Sequence, residues 1–248
     1  MAVKKKNGFT LVELLVVIAI IALLMSILLP VLRMAKGQAV RIFCGNNINQ
    51  IVLALGLYAS ENNDYFPTHD VGGCGYWIWG MNNEAADAIM KYGPKRDSFY
   101  CPANPQQRRF KDVYWEEWWP EEEHIIGYFS LWDNPAPNSR GWQPQGTGNK
   151  KFPVKATDPR PADTELFVDV TFSNETGEYA NNPKFPYGNF AKCGGGMLGN
   201  GTYDCSNHFV NESKCEGGNI GFVDSHVDWR PFNEMERRTR SCYPTHWW

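Results

Sequence analysis

Neither a Gly-x-Ser-x-Gly elbow, nor a His-Glu-x-x-His helix, nor a phosphate-binding glycine loop occurs in these 248 residues, and histidine occurs only five times. Catalysis needs a nucleophile with its base, or paired acids in a defined arrangement, so the chain is read as a non-enzyme. Long basic stretches are also missing. The formal net charge is −3, and beyond Lys4, Lys5 and Lys6 no basic patch stands out, so no nucleic-acid partner is expected. There are seven cysteines. Cys193, Cys205 and Cys215 lack Cys-x-x-Cys spacing, which speaks against a zinc knuckle. No internal repeat and no EF-hand-like spacing of acids is found.

One further absence is local. No charged side chain lies between Leu14 and Leu32, and Ser26 is the one polar residue from Leu14 to Leu29. The 19 residues of that stretch form about 28 Å of helix at roughly 1.5 Å per residue, close to a hydrocarbon core of roughly 30 Å. A secretory signal has a shorter apolar region followed by small residues, whereas this run leads into Pro30 and Arg33. Lys4, Lys5 and Lys6 favour a cytoplasmic N-terminus, which places everything after Arg33 outside the cytoplasm. Glu13 stands at the front of the run. An ionised acid costs about 2.5–3.5 kcal/mol at a bilayer centre and less near the interface. Glu13 therefore either sits at headgroup level near the lysines or has a partner.

After Pro30, apolar residues keep helical spacing through Leu32, Ala35, Ala39, Ile42, Ile48, Ile51, Leu55 and Tyr58. Asn62-Asn63-Asp64 and Pro67 then stop the helix. The pattern predicts one helix of about 50 residues, apolar in its first half and amphipathic in its second. Gly37, Gly45 and Gly56 weaken it slightly. Beyond it, 23 Gly, 16 Pro and 14% aromatic residues point to a loop-rich head. Residues 65–160 show little periodicity apart from a helix candidate at Asn83–Tyr92. Trp115, Trp118 and Trp119 lie in an acidic stretch, and 133–153 is Pro/Gly/Asn-rich. Thr164–Phe172 reads as a strand, and 174–216 as an extended, cysteine-stapled insertion. Residues 218–229 read as two short strands around an Asp224-Ser225 turn, Ile220 and Phe222 on one and Val227 and Trp229 on the other each offering an apolar face to the helix. In an exported head the cysteines are expected in disulfides, with one thiol left over from an odd count.

Lys6-Asn7-Gly8-Phe9-Thr10-Leu11-Val12-Glu13, a short basic leader and an apolar helix together resemble the leader junction of type IV prepilins and type II secretion pseudopilins. The resemblance covers about the first 30 residues, Pro30 included. It implies that a prepilin peptidase cuts after Gly8 and methylates Phe9. It implies too that Glu13 accepts the Phe9 amine of an adjacent subunit during assembly, so that two charges costly in an apolar setting neutralise each other. Loss of the leader takes the net charge to −6. A second resemblance rests on Cys44-Gly45-Asn46-Asn47-Ile48-Asn49-Gln50-Ile51, Tyr65-Phe66-Pro67, Tyr100-Cys101-Pro102 and Gly221-Phe222-Val223-Asp224-Ser225-His226-Val227. It is to a pilin-like family of planctomycete and Lentisphaerae-type bacteria whose C-terminal element reads His, a gap, then Asp-Gly-His-Val. Here Ser225 replaces the glycine, and the gap from His208 to Asp224 is long.

The expected fold is α+β, a long N-terminal helix packed on a small antiparallel sheet head. The expected divisions are a leader at 1–8, a membrane and polymerisation helix at 9–32, its amphipathic continuation at 33–62, and a head at 63–248 with a hairpin at about 218–231. The function implied is structural: a filament or pseudopilus subunit in the inner membrane, N-terminus inside, partnered by the peptidase and by other pilin-like subunits. The alternative is an anchored surface module whose tryptophans stack on polysaccharide. Cys44, where the helix leaves the membrane region, and Cys101, opening a Cys-Pro turn, are the expected disulfide. The pairing of Cys74, Cys193, Cys205, Cys215 and Cys242 stays open. No cofactor is expected. A metal would draw on His208, Asp224, His226 and Asp228, of which His226 and Asp228 share a strand face. Calcium, known in some major pseudopilins, would draw on Asp169 and Asp224.

Overall fold

The computed structural model describes residues 10–68, 80–116, 123–132, 153–157, 160–174, 182–184, 187, 189–191, 205–238 and 245–248. The chain divides into two compact units, Met1–Val40 and Arg41–Trp248. Helix α1 (Leu11–Glu61) supplies the described part of the first unit and the opening of the second. In the first unit its apolar side chains are exposed on every side, Leu14, Val17, Ile21, Leu24 and Leu28 among them. A helix apolar all round suits lipid or other helices. By length and composition α1 can cross a membrane.

In the second unit α1 turns amphipathic. Cys44, Ile48, Ile51, Val52, Leu55 and Ala59 are buried at spacings of three and four, the stripe that packs on a core. The helix stops as the sequence predicts. Asn63 and Asp64 take φ of 55° and 66°, and the Asp64 N–H donates back to the Ala59 carbonyl at 2.9 Å. This is a left-handed closure at a helix C-terminus.

The elements that follow are β1 (Gly80–Asn82), α2 (Asn83–Met90), α3 (Pro105–Glu116), β2 (Glu123–Ile125), β3 (Tyr128–Ser130), β4 (Glu165–Asp169), β5 (Phe172–Ser173), β6 (Phe209–Asn211), β7 (Lys214–Cys215), β8 (Gly217–Phe222), β9 (Val227–Pro231) and β10 (Thr245–His246). The Asn82 side chain accepts from the Ala85 N–H at 2.8 Å and starts α2. A four-stranded antiparallel sheet in the order β3-β4-β8-β9 forms the centre. β1–β2, β5–β10 and β6–β7 are two-stranded pairs. The single strand expected over Thr164–Phe172 is two: β4 stays in the central sheet, while β5 leaves it to pair with β10. The fold is α+β.

Strand pairing shows which side chains meet the helix. Asp169 lies opposite Tyr128, Gly221 opposite Phe167 and Val227, and Asn219 opposite Trp229. Facing residues share a side of a sheet and neighbours along a strand alternate. A Cβ on Gly221 would lie 2.6 Å from Ile48 and 2.8 Å from Val52, so this side faces α1. On β9, Val227 and Trp229 therefore face the helix. On β8 the expected apolar pair does not: Asn219 and Gly221 face α1, while Ile220 and Phe222 point to the opposite side, where both are buried. Glycine on β8 permits a close helix approach that a larger side chain would block. The far side is buried too, Phe129 stacking edge-on with Trp248 at 5.7 Å.

The β8–β9 turn is longer than an Asp-Ser pair. Phe222 N–H donates to His226 O at 3.0 Å and Ser225 N–H to Phe222 O at 2.9 Å. Three residues form the loop, and among its non-glycine residues Ser225 alone has positive φ, at 73°. This is a type I turn closed by a left-handed residue, not a type I′ turn.

Candidate functional site

Gly8 and Phe9 lie outside the described residues, as do Cys74, Cys193, Cys242, Trp118 and Trp119. Glu13 lies within them. Its carboxylate accepts from Thr10 N–H at 2.8 Å and Thr10 Oγ1 at 2.7 Å, while Thr10 Oγ1 accepts from Glu13 N–H at 3.2 Å. Thr10-x-x-Glu13 is a capping box that satisfies backbone donors at the helix start. The sequence carries this signature, but reading Glu13 only as a charge overlooks it.

Among the described residues, the largest concentration of chemistry lies where α1 meets the sheet. Cys44 is joined to Cys101 in a disulfide with a Cα–Cα distance of 5.4 Å. His208 Nε2 lies 3.5 Å from Cys101 Sγ and 3.2 Å from Asp169 Oδ2. Cys44, Cys101, Asp169 and His208 are all buried, and one ligand-type atom from each falls within 4.8 Å of the others. His208 is held at φ 50°, a left-handed conformation uncommon for residues with a side chain. Asp169 is the partner that sequence reasoning missed: the contact considered there for His208 was Asp224.

Amide side chains surround the acid. Asp169 Oδ1 accepts from Asn207 Nδ2 at 2.8 Å, and Oδ2 accepts from both the backbone and side-chain N–H of Asn219 at 2.8 Å. Burial pushes the Asp169 carboxyl up, but the His208 ring and these amides outweigh it and hold it below the ordinary aspartate value. Asn207 continues the network to Gly127 O at 2.8 Å, and its Oδ1 accepts from Asn104 at 3.1 Å and Gln107 at 3.2 Å. Such a fully bonded polar cluster orders the segments around it. Cys215 is a buried free thiol whose pKa burial pushes up to about 12, so it is inert as a nucleophile.

The expected metal set does not converge. His226 Nδ1 is 2.5 Å from Asp224 Oδ1, and its Nε2 is 3.6 Å from Asp228 Oδ2. The two acids thus bind opposite edges of one ring, so they cannot meet at a single ion with it. His208 belongs to the buried cluster instead. Asp224 also accepts from the His226 N–H at 3.2 Å, and the His226 ring stacks on Phe222 at 4.1 Å, so this trio closes the turn. Asp169 and Asp224 are likewise in different surroundings, one buried and one exposed.

Described tryptophans serve packing. Trp132, Trp247 and Trp248 are buried. Trp115 stacks on His124 at 3.8 Å, and Trp229 carries the Arg41 guanidinium 3.7 Å over its ring. Among the described residues no aromatic row lies open for a sugar.

Residues 3–29 match the prokaryotic N-terminal methylation motif. Over 62 residues the chain is 40% identical to the type IV wide pilus major component PilA4 of Thermus thermophilus. That match covers 25% of this chain and 47% of the Thermus protein, so the chain spans about half the length of the curated relative it matches. No solved structure matches the chain.

Proposed function

We propose that the chain is a structural subunit of a type IV pilus-like filament or a type II secretion pseudopilus. The observation that carries this is the methylation motif over residues 3–29, set on a helix long and apolar enough to cross a membrane. The similarity to a pilus major component and the α+β layout support it. In this proposal a prepilin peptidase cuts between Gly8 and Phe9 and methylates the new terminus. The precursor crosses the inner membrane with its N-terminus inside, and the head lies in the periplasm or on the surface. The Phe9 amine of an incoming subunit meets Glu13 of the one ahead. An unpaired charge there is costly, so the pair sets the axial register.

Glu13 then serves two purposes, and two substitutions separate them. Glutamine still completes a capping box but carries no charge, whereas alanine removes both. Glu13→Gln should enter the membrane, since it loses an unfavourable charge, and should fail to form filaments. Electron microscopy of sheared surface material, labelled with an antibody to the head, reads this directly. Normal filaments from Glu13→Gln would reject the charge pair. Gly8→Val should retain the leader, because a side chain at the cut obstructs the peptidase. Mass spectrometry finding any mature terminus other than Phe9 in the unmodified protein would reject the processing step.

A further inference from the structure

We propose that Cys44, Cys101, Asp169 and His208 form a closed zinc site when the two cysteines are in their thiol form. The four come from separate segments, namely α1, the turn before α3, β4 and the turn before β6, yet their ligand atoms lie within 4.8 Å of one another. Two of the separations match a tetrahedral ion. A tetrahedral zinc with bonds of about 2.3 Å to sulfur and about 2.0–2.1 Å to nitrogen and oxygen sets ligand atoms about 3.5 Å apart for sulfur and nitrogen and about 3.3 Å apart for nitrogen and oxygen. Cys101 Sγ and His208 Nε2 are 3.5 Å apart, and His208 Nε2 and Asp169 Oδ2 are 3.2 Å apart. Two thiolates, an imidazole and a carboxylate are a donor set that favours zinc over calcium or magnesium, which prefer oxygen; reduction frees the two sulfurs, bonded to each other in the disulfide, to separate to ligand spacing.

The surroundings suit a ligand set. The carboxylate is already oriented by Asn207 and Asn219, the kind of outer contact that fixes metal ligands. His208 is kept in a strained backbone conformation, and such strain marks functional positions. All four residues are buried, with no side open to a substrate, so the site is structural and not catalytic. Binding involves no electron transfer. Zn2+ replaces the two thiol protons, which pass to solvent; with neutral His208 and ionised Asp169 the site carries one net negative charge, stabilised by the amides. With the two cysteines reduced, the ion joins four segments where the disulfide joins two. The proposal is independent of filament assembly.

The test uses the full chain in detergent, stripped of metal with a chelator and reduced with a phosphine. Cobalt(II) serves as a spectroscopic probe and zinc as competitor. One equivalent of cobalt should give thiolate-to-cobalt charge-transfer absorption and the intense visible bands of a tetrahedral site, both erased by one equivalent of zinc. The oxidised chain should give neither. Cys44→Ser/Cys101→Ser should abolish the charge transfer, and His208→Ala and Asp169→Asn should each weaken binding by at least about 100-fold, more than loss of an outer contact costs. Bands that survive in the double serine variant, or affinity unchanged in both His208→Ala and Asp169→Asn, would overturn the site. X-ray absorption of the zinc-loaded, reduced unmodified chain decides even if those variants fail to fold. A shell of two sulfurs and two nitrogen or oxygen atoms is expected, and any other shell refutes the proposal.

Discussion

Gly221→Ala tests the seating of α1 on the sheet. The new Cβ would lie 2.6 Å from Ile48 Cγ2, 2.8 Å from Val52 Cγ1 and 3.3 Å from the Phe167 carbonyl. All three are below ordinary contact and the first two are too short to be tolerated, so either the helix or the strand must move. Overpacking a well-filled core costs about 1–3 kcal/mol. Restricting the unfolded chain returns about 0.4–1 kcal/mol. The net expectation is a loss of about 1–2 kcal/mol, read by urea titration of the full chain in detergent with the slope unchanged. In a thermal scan it would lower Tm by about 2–4 °C per kcal/mol. Gly56→Ala is the internal control. Its Cβ would meet only Ser225 Oγ, at 3.8 Å, so the helix should gain about 0.5–1 kcal/mol. Val52→Ala in the Gly221→Ala chain should recover part of the loss, with a coupling of at least about 0.5 kcal/mol. If Gly221→Ala is as stable as the unmodified protein, or if no coupling to Val52 appears, the close approach of helix and strand is wrong.

Non-reducing peptide mapping of the oxidised chain should recover Cys44 joined to Cys101. The 57-residue separation makes that bond worth up to about 4 kcal/mol by chain entropy, and recovery of either cysteine with another partner would refute the assignment. Ser225→Gly should be neutral or stabilising by up to about 1 kcal/mol, because Ser225 sits at φ 73° where glycine is unstrained; a clear loss on denaturant titration would contradict the turn geometry. Trp229→Ala should cost about 1.5–3 kcal/mol, less than a fully buried tryptophan, since the ring is half-buried and carries Arg41 on its face. His226→Ala should cost less than about 1 kcal/mol, and equal losses for these two would mean that the turn trio bears more of the fold than its exposure suggests.

Helix α1 was legible because two strong signals coincide in it: an uncharged apolar run, then buried positions at spacings of three and four ended by Asn-Asn-Asp. The β8–β9 hairpin was legible from its alternation, but not the sense of β8. Its residues are all buried, and a strand buried on both sides gives no pattern that assigns either face. Helix α3 went unread for the opposite reason. Only Gln107 and Tyr114 are buried in it, so it has no apolar stripe. The legible sign was its start, where Asn104 Oδ1 accepts from Gln106 and Gln107 N–H and Pro105 occupies the first helical position, both common at helix N-termini. The buried cluster leaves no trace in sequence spacing. His208 and Asp169 come from unrelated segments, and their amide partners Asn207 and Asn219 look like ordinary loop and strand residues until folding brings them together.

That cluster also explains how a glycine-rich strand can hold one register. Gly217, Gly218 and Gly221 leave β8 few side chains with which to define its pairing, and glycine-rich strands are prone to slip. Asn219 supplies the missing information. Its backbone and side-chain N–H groups both reach Asp169 on β4, and the side chain also donates to Arg41 O on α1 at 3.3 Å. Moving β8 by one residue would turn Asn219 to the other side of the sheet and bring Ile220 or Gly218, neither with a side-chain donor, against the acid. Asp169 is fully buried within the head, and the slip would remove both of its bonds from Asn219, leaving a buried charge short of partners, which is costly. The acid thus acts by penalising every register but one, and it does so at the point where α1, β4, β8 and the His208 turn must all be in place together.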